Sequence, residues 1–261
     1  MAPVDLERTL PPDILRVSEI FASVQGEGAS LGAPCVFLRL ALCNLRCAWC
    51  DTKYTWDWSQ YRYADEVTER PLGEVRAEIT RLLADQEGER CTAKLPRSTD
   101  GATHPPRLVI TGGEPLIQSK ALVSLLGQLG DALVVEVETN GTFAPPAELA
   151  SRVNQWNVSP KLSHGGDPEK RRLVPDALLA LRDTGRAWLK LVIEADADWP
   201  EVEALLERTA WPRARVLLMP QATDRESLSA LLPVIRDLAA RQDVSACTRL
   251  HVERWGGRRG V

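Results

Sequence analysis

A chain of 261 residues has room for one large α/β domain or two small ones, with enough apolar content to bury a sizeable core. The formal net charge of -4, with acids and bases interspersed, argues against binding nucleic acid by bulk charge, and no apolar run is long enough to span a membrane. Six cysteines, three of them clustered, do not make a secreted disulfide scaffold; a reducing cytoplasm fits, and Met1 to Pro12 carries no targeting pattern.

Ile14 to Phe21 reads as a strand and runs into Ser23-Val24-Gln25-Gly26-Glu27-Gly28. Two glycines around one carboxylate let backbone approach a ligand closely, although an ordinary exposed turn has the same composition. Cys35 to Leu40 is a second strand. Arg39 is unusual inside it, and is expected to point at an anionic ligand rather than to serve as a satisfied edge residue.

Cys43, Cys47 and Cys50 follow at C-x3-C-x2-C spacing, with no fourth cysteine or histidine close by. A structural zinc site or a ferredoxin-type cluster wants four protein ligands. Three thiolates can hold a [4Fe–4S] cube and leave its fourth iron open to N and O donors. This spacing resembles the signature of radical S-adenosylmethionine (SAM) enzymes. Three buried or zinc-bound cysteines are the competing reading.

Tyr54 to Tyr63, with Trp56 and Trp58, reads as a loop packed over something. Leu72, Val75, Ile79 and Leu82 mark one face of a helix. The polar stretch from about 86 to 106 is long enough to be an inserted loop. Cys91 within it, Cys35 and Cys247 read as bystanders. Arg107 to Thr111 is a buried-type strand delivering Gly112-Gly113-Glu114-Pro115. That turn resembles the GGE motif of radical SAM enzymes, which holds the amino group of SAM's methionine moiety.

Strands are then expected at Leu133 to Thr139, Trp156 to Val158, Ala187 to Ile193, Arg215 to Met219 and Thr248 to Val252. Helices are expected at Leu122 to Leu129, after Pro145-Pro146, at Asp176 to Arg182, at Val202 to Leu206, and from Arg225 towards Arg241. Asp224 would cap the last of these and Pro233 would kink it. The alternation predicts an α/β fold, a partial (open) β/α barrel of the radical SAM type, in one domain spanning residues 1–261. Ligands gather at the carboxyl ends of barrel strands. The unusual residues are expected there: Gln25 to Gly28, the cysteine loop, Thr111 to Glu114, Glu138 to Gly141, Ser159 to Lys161, and Met219 to Gln221.

Together with Cys50-Asp51-Thr52, Glu138-Thr139-Asn140-Gly141, Ser159-Pro160-Lys161 and the tail Gly256 to Val261, these segments resemble the 7-carboxy-7-deazaguanine synthase family over nearly the whole chain. The resemblance implies conversion of 6-carboxy-5,6,7,8-tetrahydropterin to 7-carboxy-7-deazaguanine with release of ammonia, on the route to queuosine and other 7-deazapurines. It implies that Cys43, Cys47 and Cys50 hold a [4Fe–4S] cluster. SAM would be lined by Trp49, Cys50, Asp51, Gly113, Glu114, Ser159, Pro160, Lys161, Met219, Pro220 and Gln221. The pterin would meet Val24, Gln25, Gly26, Glu27, Arg39 and Thr111, the C-terminal carboxylate of Val261, and His251 as an added donor or else as a satisfied strand histidine. Thr52 would coordinate Mg²⁺. An external electron donor such as a flavodoxin or ferredoxin and a homodimer are implied too, with neither nucleic acid nor membrane as partner. Some members carry Gln-Pro and a following Asp where this chain reads Met219-Pro220-Gln221-Ala222, which leaves backbone contacts to SAM there. A glycyl-radical-enzyme activating protein is the alternative, opposed by the Gln25 to Gly28 turn and the Gly260-Val261 tail. A non-enzymatic redox module with a four-thiolate site is the third reading.

Overall fold

The computed structural model describes residues 11–87 and 105–261. Most of the insertion expected at about 86–106, including Cys91, lies outside them. The described strands are β1 (Ile14–Val24), β2 (Pro34–Leu40), β3 (Thr68–Pro71), β4 (Arg107–Gly112), β5 (Val134–Thr139), β6 (Gln155–Val158), β7 (Ala187–Ile193), β8 (Val216–Pro220) and β9 (Ser245–Ala246). The helices are α1 (Tyr63–Glu66), α2 (Leu72–Glu87), α3 (Ser119–Leu129), α4 (Ala147–Arg152), α5 (Glu169–Arg172), α6 (Pro175–Arg182), α7 (Trp199–Thr209), α8 (Arg225–Arg241) and α9 (Leu250–Trp255).

All nine strands join one open sheet in the order β3-β1-β2-β4-β5-β6-β7-β8-β9. From β2 to β9 the neighbours are parallel, while β1 runs antiparallel to both β2 and β3. Side chains on a strand alternate between faces, and here the alternation divides the chemistry. Val36, Leu38, Leu108, Ile110, Val135, Val137, Trp156, Leu189, Leu191, Val216 and Leu218 turn to the helices and form the main core. There they meet Val75 and Ile79 of α2, Leu122 and Leu125 of α3, Leu178 of α6, Leu205 of α7 and Ile235 of α8. The residues between them are often polar: Arg39, Thr111, Glu136, Glu138, Asn157 and Lys190 project from the opposite, inner face.

Two expectations need correction. Thr248 to Val252 is not a strand: β9 is only Ser245–Ala246, and Leu250–Trp255 is helical. Spacing over five residues cannot separate the two conformations. Val252 packs on Ala222, Leu228 and Leu232 beside α8 rather than joining the sheet. The second correction concerns Gln25 to Gly28. This turn follows the end of its own strand, but β1 is antiparallel, and its last residue Val24 pairs with Pro34 at the start of β2. The turn therefore leaves the sheet at the amino-terminal end of the parallel strands, opposite the cysteine loop, and folds across the inner faces of β5, β6 and β7.

Candidate active site

The inner face encloses a cavity of about 440 Å³. Cys43, Cys47 and Cys50 line it, in the loop after β2. Burial pushes the Cys43 thiol up to about 12 and raises Cys47 as well. Such thiols become thiolates when a metal binds and displaces the proton. The surroundings suit sulfur ligands: Leu45 N–H donates to Cys43 Sγ at 3.5 Å, and the Trp56 indole N–H donates to Cys50 Sγ at 3.3 Å. N–H donors to cluster sulfur are one of the means by which a protein tunes an iron–sulfur centre. Arg46 stacks on Trp56, 4.8 Å from the ring centroid, behind the same loop.

The two glycines after β4 seat that loop. Gly113 N–H donates to the Leu40 carbonyl at 3.0 Å and Glu114 N–H to the Leu42 carbonyl at 2.7 Å. A Cβ at Gly113 would stand 2.0 Å from the Leu42 carbonyl oxygen and 3.0 Å from Cys43 Cβ. Gly112 has φ 137°, a conformation open to glycine. Both glycines line the cavity, but Glu114 does not. Its fully buried carboxylate accepts from Leu116 N–H at 3.0 Å, Thr139 Oγ1 at 2.9 Å and Asn140 N–H at 2.7 Å. Burial raises its pKa. In this arrangement the side chain braces β4 against β5. Pro160 and Pro220 are likewise buried away from the cavity.

The other expected SAM residues, Trp49, Asp51, Ser159, Lys161, Met219 and Gln221, share the cavity with the cysteines. Trp49 donates its indole N–H to His164 Nδ1 at 2.9 Å, and His164 Nε2 lies 3.2 Å from the Val192 carbonyl. Lys161 Nζ donates to Ser159 Oγ at 3.0 Å and lies 5.5 Å from the Trp49 ring centroid. Thr52 lines the cavity with Oγ1 3.5 Å from Cys50 Sγ. One oxygen beside the cysteine loop suits a hard cation that keeps most of its waters.

The residues expected to meet a substrate line the same cavity. The Gln25 side chain is 1% exposed and committed within the chain: Nε2 donates to Glu136 at 2.8 Å and Glu138 at 3.2 Å, while Oε1 accepts from Glu27 N–H at 3.1 Å. Gln25 lines the cavity, and its amide orients these acceptors. Thr111 Oγ1 donates to Glu138 at 2.7 Å. Lys190 Nζ reaches Glu27 at 2.5 Å and Glu138 at 3.8 Å. Arg249 Nε donates to Glu27 at 3.0 Å, and His251 Nε2 lies 3.9 Å from the same carboxylate. Burial alone would raise the Glu27 carboxyl, but Lys190, Arg249 and His251 hold it well below the usual carboxylate range. Arg39 lines the cavity and is paired with Glu19 at 2.8 Å. Val24, Gly26 and Val261 also line it.

Glu138, singled out in the sequence as part of Glu138 to Gly141, takes its place on the inner face, whereas Lys190, His164 and Arg249, in or beside the cavity, are residues that motif reasoning missed. Strand alternation carries the signal for Lys190, since a charge at an alternate position of an apolar strand marks a polar inner face. His164 and Arg249 lie outside regular strands and have no such signal.

A family model described as a 4Fe-4S single cluster domain matches residues 24–142, which contain all three clustered cysteines. The 7-carboxy-7-deazaguanine synthase of Pyrobaculum aerophilum is 38% identical over 247 residues, covering 94% of this chain and 97% of that one. The protein of the same name from Hyperthermus butylicus is 35% identical over 248 residues, covering 92% of each. The crystal structure of QueE from Escherichia coli has the same fold, with a TM-score of 0.62 at 24% identity over 91% of this chain and 95% of that one. With three thiols lining the inner-face cavity and similarity running nearly end to end, the chain belongs to the 7-carboxy-7-deazaguanine synthase family of radical SAM enzymes.

Proposed function

We propose that the protein converts 6-carboxy-5,6,7,8-tetrahydropterin to 7-carboxy-7-deazaguanine and ammonia. Substrate and product differ by one ammonia, so the ring contraction needs no net oxidant. The observation that carries this reading is the shared cavity, which three thiols line together with an ordered set of carboxylates and cations. A reduced [4Fe–4S] cluster with bound SAM supplies the 5′-deoxyadenosyl radical that starts such chemistry.

The chain's own residues hold and screen the reactants. Cys43, Cys47 and Cys50 hold the cluster. Trp49, Asp51, Gly113, Ser159, Lys161, Met219 and Gln221 line the SAM side. Thr111 and Glu138 present oxygens to the donor edge of a 2-aminopterin, with Gln25 and Lys190 orienting Glu138. Arg39 offers the substrate carboxylate a cation. His251 and Glu27 close the amino-terminal mouth, and Thr52 offers its hydroxyl to Mg²⁺. We further propose an external one-electron donor such as a flavodoxin or ferredoxin, a cytoplasmic setting and a homodimer. Among the described residues no helix is long and apolar enough to cross a membrane.

The test is anaerobic reconstitution with iron and sulfide, reduction, and incubation with SAM with and without the carboxytetrahydropterin, followed by mass analysis. The expected result is 7-carboxy-7-deazaguanine and ammonia in equal amounts. SAM cleavage with the pterin recovered unchanged would overturn the reading. A Thr52→Ala protein is expected to assemble its cluster and lose its response to added Mg²⁺.

A further inference from the structure

Arg249 stands immediately before α9 and is 8% exposed. Its three guanidinium nitrogens go to three different loops. Nε donates to Glu27 Oε1 at 3.0 Å, in the turn at the amino-terminal mouth. Nη2 donates to Asp51, the residue after Cys50. Nη1 donates to the backbone carbonyl of Ala222, in the loop that follows β8 and carries Gln221. The neighbouring backbone repeats the first connection, since Leu250 N–H donates to the Gly26 carbonyl at 2.8 Å. There is no space between these parts: a Cβ on Gly26 would lie 2.4 Å from His251 Nδ1.

A guanidinium is planar, stays charged, and holds its N–H groups in a fixed fork. Two carboxylates bound to one such fork cannot drift apart. We propose that Arg249 is a positioning residue that fixes the separation between the Gly26-Glu27 turn and the cysteine loop, and so ties radical formation to a correctly seated pterin. The inference rests on the reaction proposed above. Hydrogen transfer between bound partners requires reacting atoms about 3–3.5 Å apart, and a misplacement of about 1 Å costs on the order of 100-fold. When the separation slips, a radical formed with one electron from the external reductant would miss the pterin and take a hydrogen atom from protein or buffer C–H bonds instead, so that SAM is consumed to methionine and 5′-deoxyadenosine without product.

The experiment compares native protein with Arg249→Lys and Arg249→Ala, all reconstituted to equal iron content. Lysine is a point charge that cannot span both carboxylates. The ratio of 5′-deoxyadenosine released to product formed is expected to rise about tenfold or more in both variants. The calorimetric Kd for the pterin, measured on the oxidised cluster-bound protein where no turnover occurs, is expected to weaken alongside. Guanidinium chloride on the order of 10 mM, far below the molar concentrations that unfold proteins, is expected to restore coupling in Arg249→Ala and to leave Arg249→Lys unchanged. A native ratio and a native Kd in Arg249→Lys would overturn the proposal, and so would a slower rate with the ratio unchanged. If Arg249→Ala does not fold, the ratio and Kd of Arg249→Lys decide. A native protein that leaves the pterin unconverted would instead overturn the proposed reaction.

Discussion

Glu19 and Arg39 pair across the β1–β2 ladder at 2.8 Å, where their backbones are direct register partners. Glu19 also accepts from Tyr54 Oη at 3.0 Å and from Arg259 Nε at 3.2 Å. The guanidinium of Arg259 lies 3.5 Å from the Tyr54 ring centroid, so the tail after α9 is fastened to the same carboxylate. Glu19 thus aims Arg39 and moderates its charge. A hydrogen bond to a charged partner contributes about 1.5–3 kcal/mol, which corresponds to roughly 10- to 150-fold in affinity. Arg39→Met is expected to raise the KM for the pterin by about that much with cluster absorbance unchanged. Glu19→Gln, which keeps the shape and removes the charge, is expected to raise it less. Steady-state kinetics on both variants check this; a native KM in Arg39→Met would remove Arg39 from the substrate site.

Glu114 tests the bracing role directly. Glutamine keeps one acceptor oxygen and turns an NH₂ towards donors that need an acceptor. Leaving buried donors unpaired costs about 1–3 kcal/mol each. Glu114→Gln is expected to lose about 2–4 kcal/mol of stability, which lowers Tm by roughly 5–15 °C for a chain of this size. Calorimetry measures it. A native Tm with a selectively weakened SAM affinity would show Glu114 acting as a ligand rather than as a brace.

The cysteines separate by position. Cys43→Ala, Cys47→Ala and Cys50→Ala are each expected to lose the cluster's visible absorbance and all SAM cleavage. Cys35 is fully buried among Phe21, Phe37 and Val109, and Cys247 is 6% exposed beside Leu217 and Met219. Burial pushes the Cys247 thiol up to about 11 and Cys35 well above its ordinary value. Cys35→Ala and Cys247→Ala are expected to keep both the absorbance and the cleavage, as measured on anaerobic preparations.

Acid is expected to loosen the amino-terminal mouth. Burial lowers the His251 pKa, with Glu27 opposing and Arg249 assisting. The unfolded chain therefore binds a proton that the folded one resists, and stability falls as pH drops below about 6.5. Glu27 works in the same direction at lower pH, because its depressed carboxyl stabilises the fold above the usual carboxylate range and loses that contribution as pH falls through its folded value. Tm is expected to decline from pH 7.5 to pH 5, and His251→Gln is expected to flatten the upper part of that decline. Thermal scans in a pH series measure it; parallel curves for the two proteins would exclude His251 as the group responsible.

Motif spacing located the cysteine loop and the glycine turn because both obey local rules: thiols at ligand spacing, and glycines where another backbone passes within contact. The parallel strands were readable from apolar runs such as Leu189 to Ile193. Direction was not readable. Nothing within Ile14 to Val24 announces that β1 runs against its neighbours, so the Gln25 to Gly28 turn was expected at the wrong end of the sheet. Glu114 has a related, nonlocal part: a carboxylate after two glycines looks like a ligand, and two of its three donors, Thr139 and Asn140, come from a segment 25 or so residues onward. Arg249 was out of reach because its partners Glu27, Asp51 and Ala222 are joined only by the fold.

The face alternation along β4 to β8 has a genetic consequence. Core and cavity are written on the same strands, in odd and even positions, so substitutions act on two nearly separate properties. A change at Ile110 or at Thr111 falls on one property or the other according to parity. A single-residue insertion or deletion inside one of these strands would shift the frame, sending leucines into the cavity and Lys190 or Glu138 into the helix layer. Fold and chemistry would be lost together, whereas the same insertion between strands would leave both frames intact.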